Sequence, residues 1–429
     1  MFCKCNFKNS RKTRSGRHKK SPERRRRRGI ILKPTIRILG LMSGTSCDGL
    51  DASCLVFSQQ EWHVLWSHSI HYPKHLRQTV VKIQQPKYRI QLSELLELNR
   101  DLGLWYGSAI NRMLSIKRPS PEVIANHGQT IAHFPDSGIT MQIGSPAIIS
   151  ATTGLTVLSN FRDGDMSAGG QGAPLVPQFH KLIADKYLAT SKYNGIAFHN
   201  IGGISNITYI GPDKNILAFD TGPGNIWIDA ASYMASNGKK QMDADGKMSK
   251  LGHIDTNAVR KILTHKFFSK KIPKSTGRDD FPFELLISKT KERGHSLVAT
   301  ATAVTVQSIA VAYERYLFEK NLPVEIIVLC GGGSKNTTLV NWLQERIRGP
   351  KIVLARDIGL DEQFIESQAF AVLGFLSLIG HPLGGSWTGA RTFGPPAYIT
   401  PGKNWAEVVK KLKIFTDLSE TYHEKIWYQ

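Results

Sequence analysis

No stretch of this sequence reads as apolar for long enough to cross a membrane as a helix. The longest apolar window, Ala369 to Ile379, falls far short of the roughly 20 residues required and reads as a buried core helix. Cysteine is scarce: Cys3, Cys5, Cys47, Cys54 and Cys330 form no CxxC and no Cys/His cluster at zinc spacing. That argues against a structural zinc site or a disulfide framework and points to a reducing cytoplasm. The pattern GxxxxGK[ST] is missing, which excludes a P-loop enzyme, and no GxGxxG joins a strand to a helix, which argues against a dinucleotide fold.

Acidic residues are almost absent from positions 1–33, which hold fourteen Lys and Arg against Glu23 alone. That segment carries +13 of the formal net charge of +22, leaving a modest +9 for the rest of the 429 residues. With the run Arg24–Arg28 and few apolar side chains before Ile30, it cannot build a core. Four readings stay open: a leader outside the functional protein, a solvated disordered arm, a non-specific contact with nucleic acid or a membrane surface, or a basic targeting peptide. No aromatic platform or recognition helix accompanies the run, so specific nucleic-acid binding is not expected. The remaining length exceeds one compact core and predicts two domains.

What is present is a series of glycine turns. The runs Ile36–Met42 and Leu50–Phe57 read as strands and place GLMSGTSCDGLD (40–51) at a hairpin tip. Leu92 to Met113 reads as a helix, Val123–Asn126 as a strand leading into HGQT, and Pro174–Tyr187 as helix. A second strand–turn–strand carries NIGGISN at Asn200–Asn206, and a third glycine turn, FDTGPGN at Phe219–Asn225, opens a helix through Ala235. Residues 238–296 are polar and poorly periodic and read as an irregular insertion. Val306–Leu317 fits a helix, Val324–Leu329 a strand, Cys330–Ser334 a triple-glycine turn and Asn336–Ile347 a helix; the segment from Pro401 is amphipathic. Strands followed by glycine turns and helices argue for an α/β architecture. Two hairpin turns in separate halves predict a duplicated domain whose glycine loops face a shared cleft.

Glycine loops bind phosphate because a backbone without Cβ approaches closely and aims several N–H groups at one anion. SGTSCDG adds hydroxyl donors and, at Asp48, a carboxylate suited to Mg2+. Alone, the stretch reads more readily as a plain hairpin turn with Asp-Gly chemistry. Gly202-Gly203, Asp220-Thr221-Gly222 and Gly331–Gly333 repeat the same vocabulary, and four such turns after strands favour a nucleotide cleft. The segment Asn160–His180 offers Asp163 and Asp165 beside Gly-Gly-Gln-Gly, a composition suited to a general base or to a solvated loop. Glu366 opens an apolar helix, where a carboxylate commonly serves the helix dipole. His127 reads as a substrate contact or as a hydrogen-bonded histidine at a strand end, and no third group orients it as partner to a Cys47 nucleophile.

Together GLMSGTSCDGLD, NHGQTIAH, FRDGDMSAGGQGAPLVPQFH, NIGGISNIT, FDTGPGNIWID, KSTGRDDF and VLCGGGSKN resemble, in order, the anhydro-N-acetylmuramic acid kinase family, from about Ile36 to about Gly394. The resemblance implies two similar actin/hexokinase-like (ribonuclease H-like) α/β lobes around a central ATP and sugar cleft. The divisions it suggests are a tail at 1–34, lobes at 35–190 and 191–395, and an extension at 396–429. It implies ATP-dependent opening of 1,6-anhydro-N-acetylmuramic acid by water, with phosphorylation of its 6-hydroxyl, in recycling of cell-wall sugars. Asp165 matches the family's catalytic aspartate, and His127, Gln129, Gln171 and Glu366 are the expected sugar contacts. Gly44, Thr45, Ser46, Cys47, Asp48, Gly49, Leu50 and Asp51 match the ATP-phosphate loop, joined by Gly202, Gly203 and Gly222. Gly331, Gly332, Gly333 and Asn336 resemble the adenosine turn. Asp48 and Asp220 are the candidate Mg2+ ligands, with Cys47 itself fitting a packing role. A cytoplasmic homodimer is the expected form, and a catalytically weak ATP-binding module of the same fold is the alternative. Four positions depart from the family: Asn160 stands where Asp is common, Asp163 and Gly164 where basic residues are, and Cys47 where Leu is usual. An acid two residues before the base is expected to raise its proton affinity or to alter the sugar contacts.

Overall fold

The structure is a computed structural model that describes residues 35–44, 47–58, 61–85, 88–188, 194–392 and 394–416. The basic tail, Thr45 and Ser46, and the end of the C-terminal extension lie outside the described residues.

Alternation along IRILGLM makes β1 (Ile36–Met42) two-faced, with Ile36 and Ile38 buried on one side and Leu39 and Leu41 on the other. It pairs antiparallel with β2 (Gly49–Phe57), and β2 with β3 (Trp62–His71). On its other edge β1 runs parallel to β4 (Val123–Asn126). A hairpin of β5 (Gln129–Phe134) and β6 (Ile139–Ile143) intervenes before β7 (Thr156–Ser159) joins parallel to β4. The second half repeats this plan. β8 (Ile196–Ile201), β9 (Ile204–Ile210) and β10 (Ile216–Pro223) form an antiparallel meander, and β11 (Ile326–Cys330) and β12 (Lys351–Leu354) continue in parallel from β8. The orders β3-β2-β1-β4-β7 and β10-β9-β8-β11-β12 are the same arrangement. The α/β class and the two similar lobes are both present.

Two helices lie between the sheets, and each covers the sheet of the opposite half. Pro177–Leu188 packs on β9, whereas Ile365–Leu378 packs on β1, β2 and β4. Phe179 and Ile183 from the first join Phe370 and Leu373 from the second in one core with Ile38, Leu55, Ile196 and Phe198. Divisions at 190 and 395 therefore cut across an exchange of helices between the halves. The extension also belongs to the first lobe. β13 (Tyr398–Thr400) pairs antiparallel with β7, Phe415 packs edge-on against Phe375, and Lys411 pairs with Glu122.

The outer faces are clad separately. Leu92–Ile116 covers the first sheet with Leu98, Leu102, Tyr106 and Ile110, while Gly294–Tyr316 covers the second. The latter helix is longer than the Val306–Leu317 expected, because its first half is Ala/Thr-rich and buried nearly all round. By length and composition it is apolar enough to cross a membrane, but the second lobe encloses it as a core helix. The supposed irregular insertion contains the helices Lys247–Leu251, Thr256–Leu263 and Phe283–Ile287, too short to show a period in sequence. Phe267, Phe268 and Phe281 pack ring on ring beside them.

Two core histidines carry a pH consequence. His180 stacks on Phe198, and His199 bonds Ser205 Oγ at 2.7 Å; burial pushes both down to about 3. The unfolded chain takes up these protons near the ordinary histidine value and the folded chain does not, so stability is complete above it and falls as the pH drops toward 3. Denaturant titrations at about pH 7 and about pH 5 are expected to show that loss, and it is expected to shrink in His199→Gln. An unchanged difference in that variant would remove His199 as a source.

Candidate active site

A cleft of about 450 Å³ opens where β1, β8 and β11 end, between the lobes. Met42, Asn200 and Gly331 mark those strand ends, and ligands in α/β folds sit at such carboxyl ends. One wall carries Arg162, Gln171, Glu366 and Trp387, and the other Asn206, Asp220, Lys274 and Ser275.

The first wall rests on the helix Phe161–Ser167. Its cap, Asn160, sits in the left-handed region at φ 57° and donates from its amide to Asp163 Oδ2 at 2.8 Å. This pairing accounts for two departures from the family together: a second acid at position 160 would repel Asp163, and an amide does not. Asp163 is engaged by Asn160 and is not among the groups that shift Asp165, so the expected effect on the base is not seen. Gly164 is required by packing, since a Cβ there would overlap Pro395 O.

Asp165 is buried, with Oδ2 accepting from Gly172 N–H at 2.7 Å and Oδ1 from the Thr388 hydroxyl at 2.6 Å. Burial raises its pKa above the ordinary carboxylate value, opposed by those two bonds and by Arg162. It stands behind the cleft wall rather than in it, bordering a recess of about 10 Å³ with Gly384 and Gly394. Side chains on Gly170 or Gly384 would overlap its carboxylate, so both neighbouring segments approach it as bare backbone.

Arg162 is the cation that the two acids share, and the motif reading overlooked it. Its Nε donates to His127 Nε2 at 3.1 Å and its Nη1 to Gly172 O at 2.8 Å. Because His127 Nδ1 lies 2.9 Å from Gly128 O, it carries the ring proton, leaving Nε2 free to accept. Burial and Arg162 keep this histidine neutral. His127 thus orients Arg162 from behind and does not line the cleft. Glu366 presents an accessible carboxyl to the cleft, yet enough protein surrounds it that burial raises its pKa against the pull of Arg162.

The expected phosphate residues divide. Gly202, Asp220 and Gly331 line the cleft. The turn Gly202-Gly203 is tied to the next glycine turn, its carbonyls accepting from Asn225 and Gly224 N–H at 2.8 and 2.9 Å. Gly331 is held at φ 79° beside Asn200, a conformation glycine tolerates without strain. Asp220 accepts a hydrogen bond from Thr276 N–H at 2.8 Å; burial raises its pKa to about 7, opposed by that bond and by Lys274.

Several expected contacts do not reach the cleft. Leu50 and Cys47 are core residues, and burial lifts the Cys47 thiol to about 11, which leaves no thiolate nucleophile. Asp48 is exposed and pairs with Arg77 at 2.9 Å. Asp51 accepts from Gln363 at 3.2 Å, and Gln129 is buried behind Ser43, accepting its hydroxyl at 2.6 Å. Gly44 lends its carbonyl to Cys47 N–H, and a Cβ on Gly49 would come within 2.8 Å of Ile70 O. Gly222 belongs to β10 rather than to a turn and packs on Phe268; Gly332 and Gly333 form a 3-10 turn. Asn336 caps the helix Thr337–Arg346, accepting Leu339 N–H at 2.9 Å, so its side chain is spent on the fold. Among the described residues no three His, Cys, Asp or Glu gather as a metal cluster. Mg2+ carried on nucleotide phosphates needs only one or two carboxylates, and Asp220 at the cleft wall fits that demand.

The family model described as anhydro-N-acetylmuramic acid kinase matches residues 36–394. Curated proteins of that name share 37% identity in Shewanella sediminis (78% of this chain, 90% of the relative), 33% in Caldanaerobacter subterraneus (80% and 91%) and 35% in Acidithiobacillus ferrooxidans (88% and 95%). The chain belongs to the anhydro-N-acetylmuramic acid kinase family. Solved structures similar to it include the ADPNP-bound activator of 2-hydroxyisocaproyl-CoA dehydratase from Clostridium difficile, at TM-score 0.36 and 12% identity, covering 79% of this chain and 94% of that one. A ROK family protein from Streptococcus pneumoniae in complex with sucrose has TM-score 0.33 and 12% identity, with coverage of 80% and 98%. Within the family match lie both cleft walls and the whole segment around Asp165.

Proposed function

We propose that this family member is an ATP-dependent kinase that opens 1,6-anhydro-N-acetylmuramic acid with water and phosphorylates its 6-hydroxyl, giving N-acetylmuramic acid 6-phosphate and ADP. The observation that carries the reading is one continuous cleft with Arg162, Gln171 and Glu366 on one side and Asn200, Gly202, Asp220 and Gly331 on the other. Asp165, which borders the recess beside the cleft rather than the cleft itself, takes a proton from the water that attacks the anomeric carbon when bound sugar brings that water within its hydrogen-bond reach. The bridging oxygen leaves that carbon and attacks the γ-phosphorus, whose bond to ADP breaks, so no second acid is needed to protonate it. Arg162, fixed by His127, holds the charge of the neighbouring acids, while Gln171 and Glu366 orient sugar hydroxyls. Asp220 would hold Mg2+, which when bound neutralises phosphate charge. A cytoplasmic homodimer serving recycling of cell-wall sugars belongs to the same reading.

The test is transfer of labelled γ-phosphate into anhydro-N-acetylmuramic acid, beside N-acetylmuramic acid and glucose. Label entering the anhydro sugar alone, with solvent oxygen at C1, is the expected result. ATP binding without sugar-dependent ADP release would favour a weak ATP-binding module instead.

A further inference from the structure

The segment KSTGRDD leaves the cleft floor as a tethered loop. Asp220 N–H donates to Lys274 O at 3.0 Å, Thr276 N–H donates back to Asp220 Oδ2 at 2.8 Å, and the Thr276 hydroxyl donates to Asp280 Oδ2 at 2.6 Å. Arg278 stands between the last two anchors, exposed; its carbonyl accepts from Phe281 N–H at 3.2 Å, while its guanidinium has no hydrogen bond or ion pair among the described residues. Its Nη2 lies 3.8 Å from where a Cβ on Gly203 would stand, so the guanidinium faces the β8–β9 glycine turn. Its charge also reaches Asp229, in the first turn of the helix Ile226–Ala235, and Cys47 in the β1–β2 turn of the opposite lobe. A guanidinium offers a planar fork matched to phosphate oxygens, and this one is exposed and unpaired beside the β8–β9 glycine turn.

Resting on the kinase reading, we propose that Arg278 is a catalytic residue that grips the γ-phosphoryl group of ATP from the second lobe and stabilises its charge during transfer. As the new bond from the sugar oxygen to phosphorus forms, the bond to ADP breaks and its electron pair stays on the β-phosphate oxygen. Arg278 donates hydrogen bonds throughout and exchanges no proton. Asp220 positions it through Thr276, which links the cleft acid to the cation that faces the same phosphates.

Full-length wild type, Arg278→Ala and Arg278→Lys are compared for kcat, KM for ATP, ATP binding by calorimetry and melting midpoint. In Arg278→Ala kcat is expected to fall about 10²–10³-fold, with ATP affinity within about threefold and the fold intact. Added guanidinium is expected to restore part of the Arg278→Ala rate, and Lys only a fraction, because a point charge lacks the fork. A kcat within about threefold of wild type, or a loss confined to ATP affinity, overturns the assignment while the kinase reading stands. Absence of sugar-dependent turnover in the wild type overturns both.

Discussion

Replacing Asp165 by Asn will lower sugar-dependent turnover by about 10²–10⁴-fold, the contribution typical of a positioned general base, and leave ATP binding intact. The substitution is nearly isosteric and the site can absorb it. One amide oxygen still accepts Gly172 N–H, as Oδ2 does at 2.7 Å. The introduced NH2 then faces the Thr388 hydroxyl, which can redirect its proton to Gly385 O, already 2.8 Å away, and accept instead. What is lost is the ability to take a proton. Since burial raises the pKa of Asp165, wild-type activity should fall with decreasing pH at a point above the ordinary carboxylate value, where the base becomes protonated. Single-turnover ADP release and calorimetric ATP titration separate the two effects. Turnover within about threefold of wild type would remove Asp165 from the role.

Gly40→Ala is expected to be strongly destabilising, and it acts through the fold. Gly40 follows Ile36 and Ile38 on the inner face of β1, and a Cβ there would overlap Ser367 O and Ala371 N of the helix Ile365–Leu378. Both are backbone atoms, so no side chain can swing away. The helix must lift from the sheet, at a cost of about 3 kcal/mol, the upper end of ordinary overpacking. Glu366 is one residue from the clash, so the cleft wall moves with it. Melting midpoint and turnover should drop together, whereas Gly277→Ala, with nothing within 4 Å of its Cβ, should leave the midpoint nearly unchanged. A Gly40→Ala protein that melts like the wild type would contradict the packing assigned here.

The strands were legible because alternation is a local signal: IRILGLM shows its two faces without reference to any other element. The duplication was legible for the same reason, since each half announces its hairpin with a glycine turn. Which sheet a central helix covers was not legible. Ile365–Leu378 is apolar all round because protein surrounds it, and a pattern without a stripe carries no direction. At the site, Gln171 and Glu366 line the cleft, whereas His127 sits behind it, accepting a hydrogen bond from Arg162, a residue the motif reading passed over. Asp48 has a partner, Arg77, twenty-nine positions away that no spacing rule connects to it. Asn336 did carry a readable signal, a cap residue three positions before Leu339, which the glycine-turn reading overrode. Arg278 sits in a polar stretch with no period, where chemistry is visible in sequence but placement is not.

The exchange of helices also bears on how the chain comes into being. A ribosome delivers the first sheet early, yet the inner face of β1, β2 and β4 waits for residues 365–378 and the helix Trp405–Thr416, and its edge for β13. Chains fold from the N-terminus during synthesis, at about 5–20 residues per second. For much of translation the nascent first lobe therefore exposes Ile36, Ile38, Leu55 and Val123, a surface suited to chaperone capture. The second sheet, with its strands and outer helices all between 196 and 354, closes its outer core sooner. A message truncated shortly before codon 365 would yield a product whose first sheet is clad on its outer face and bare on its inner one.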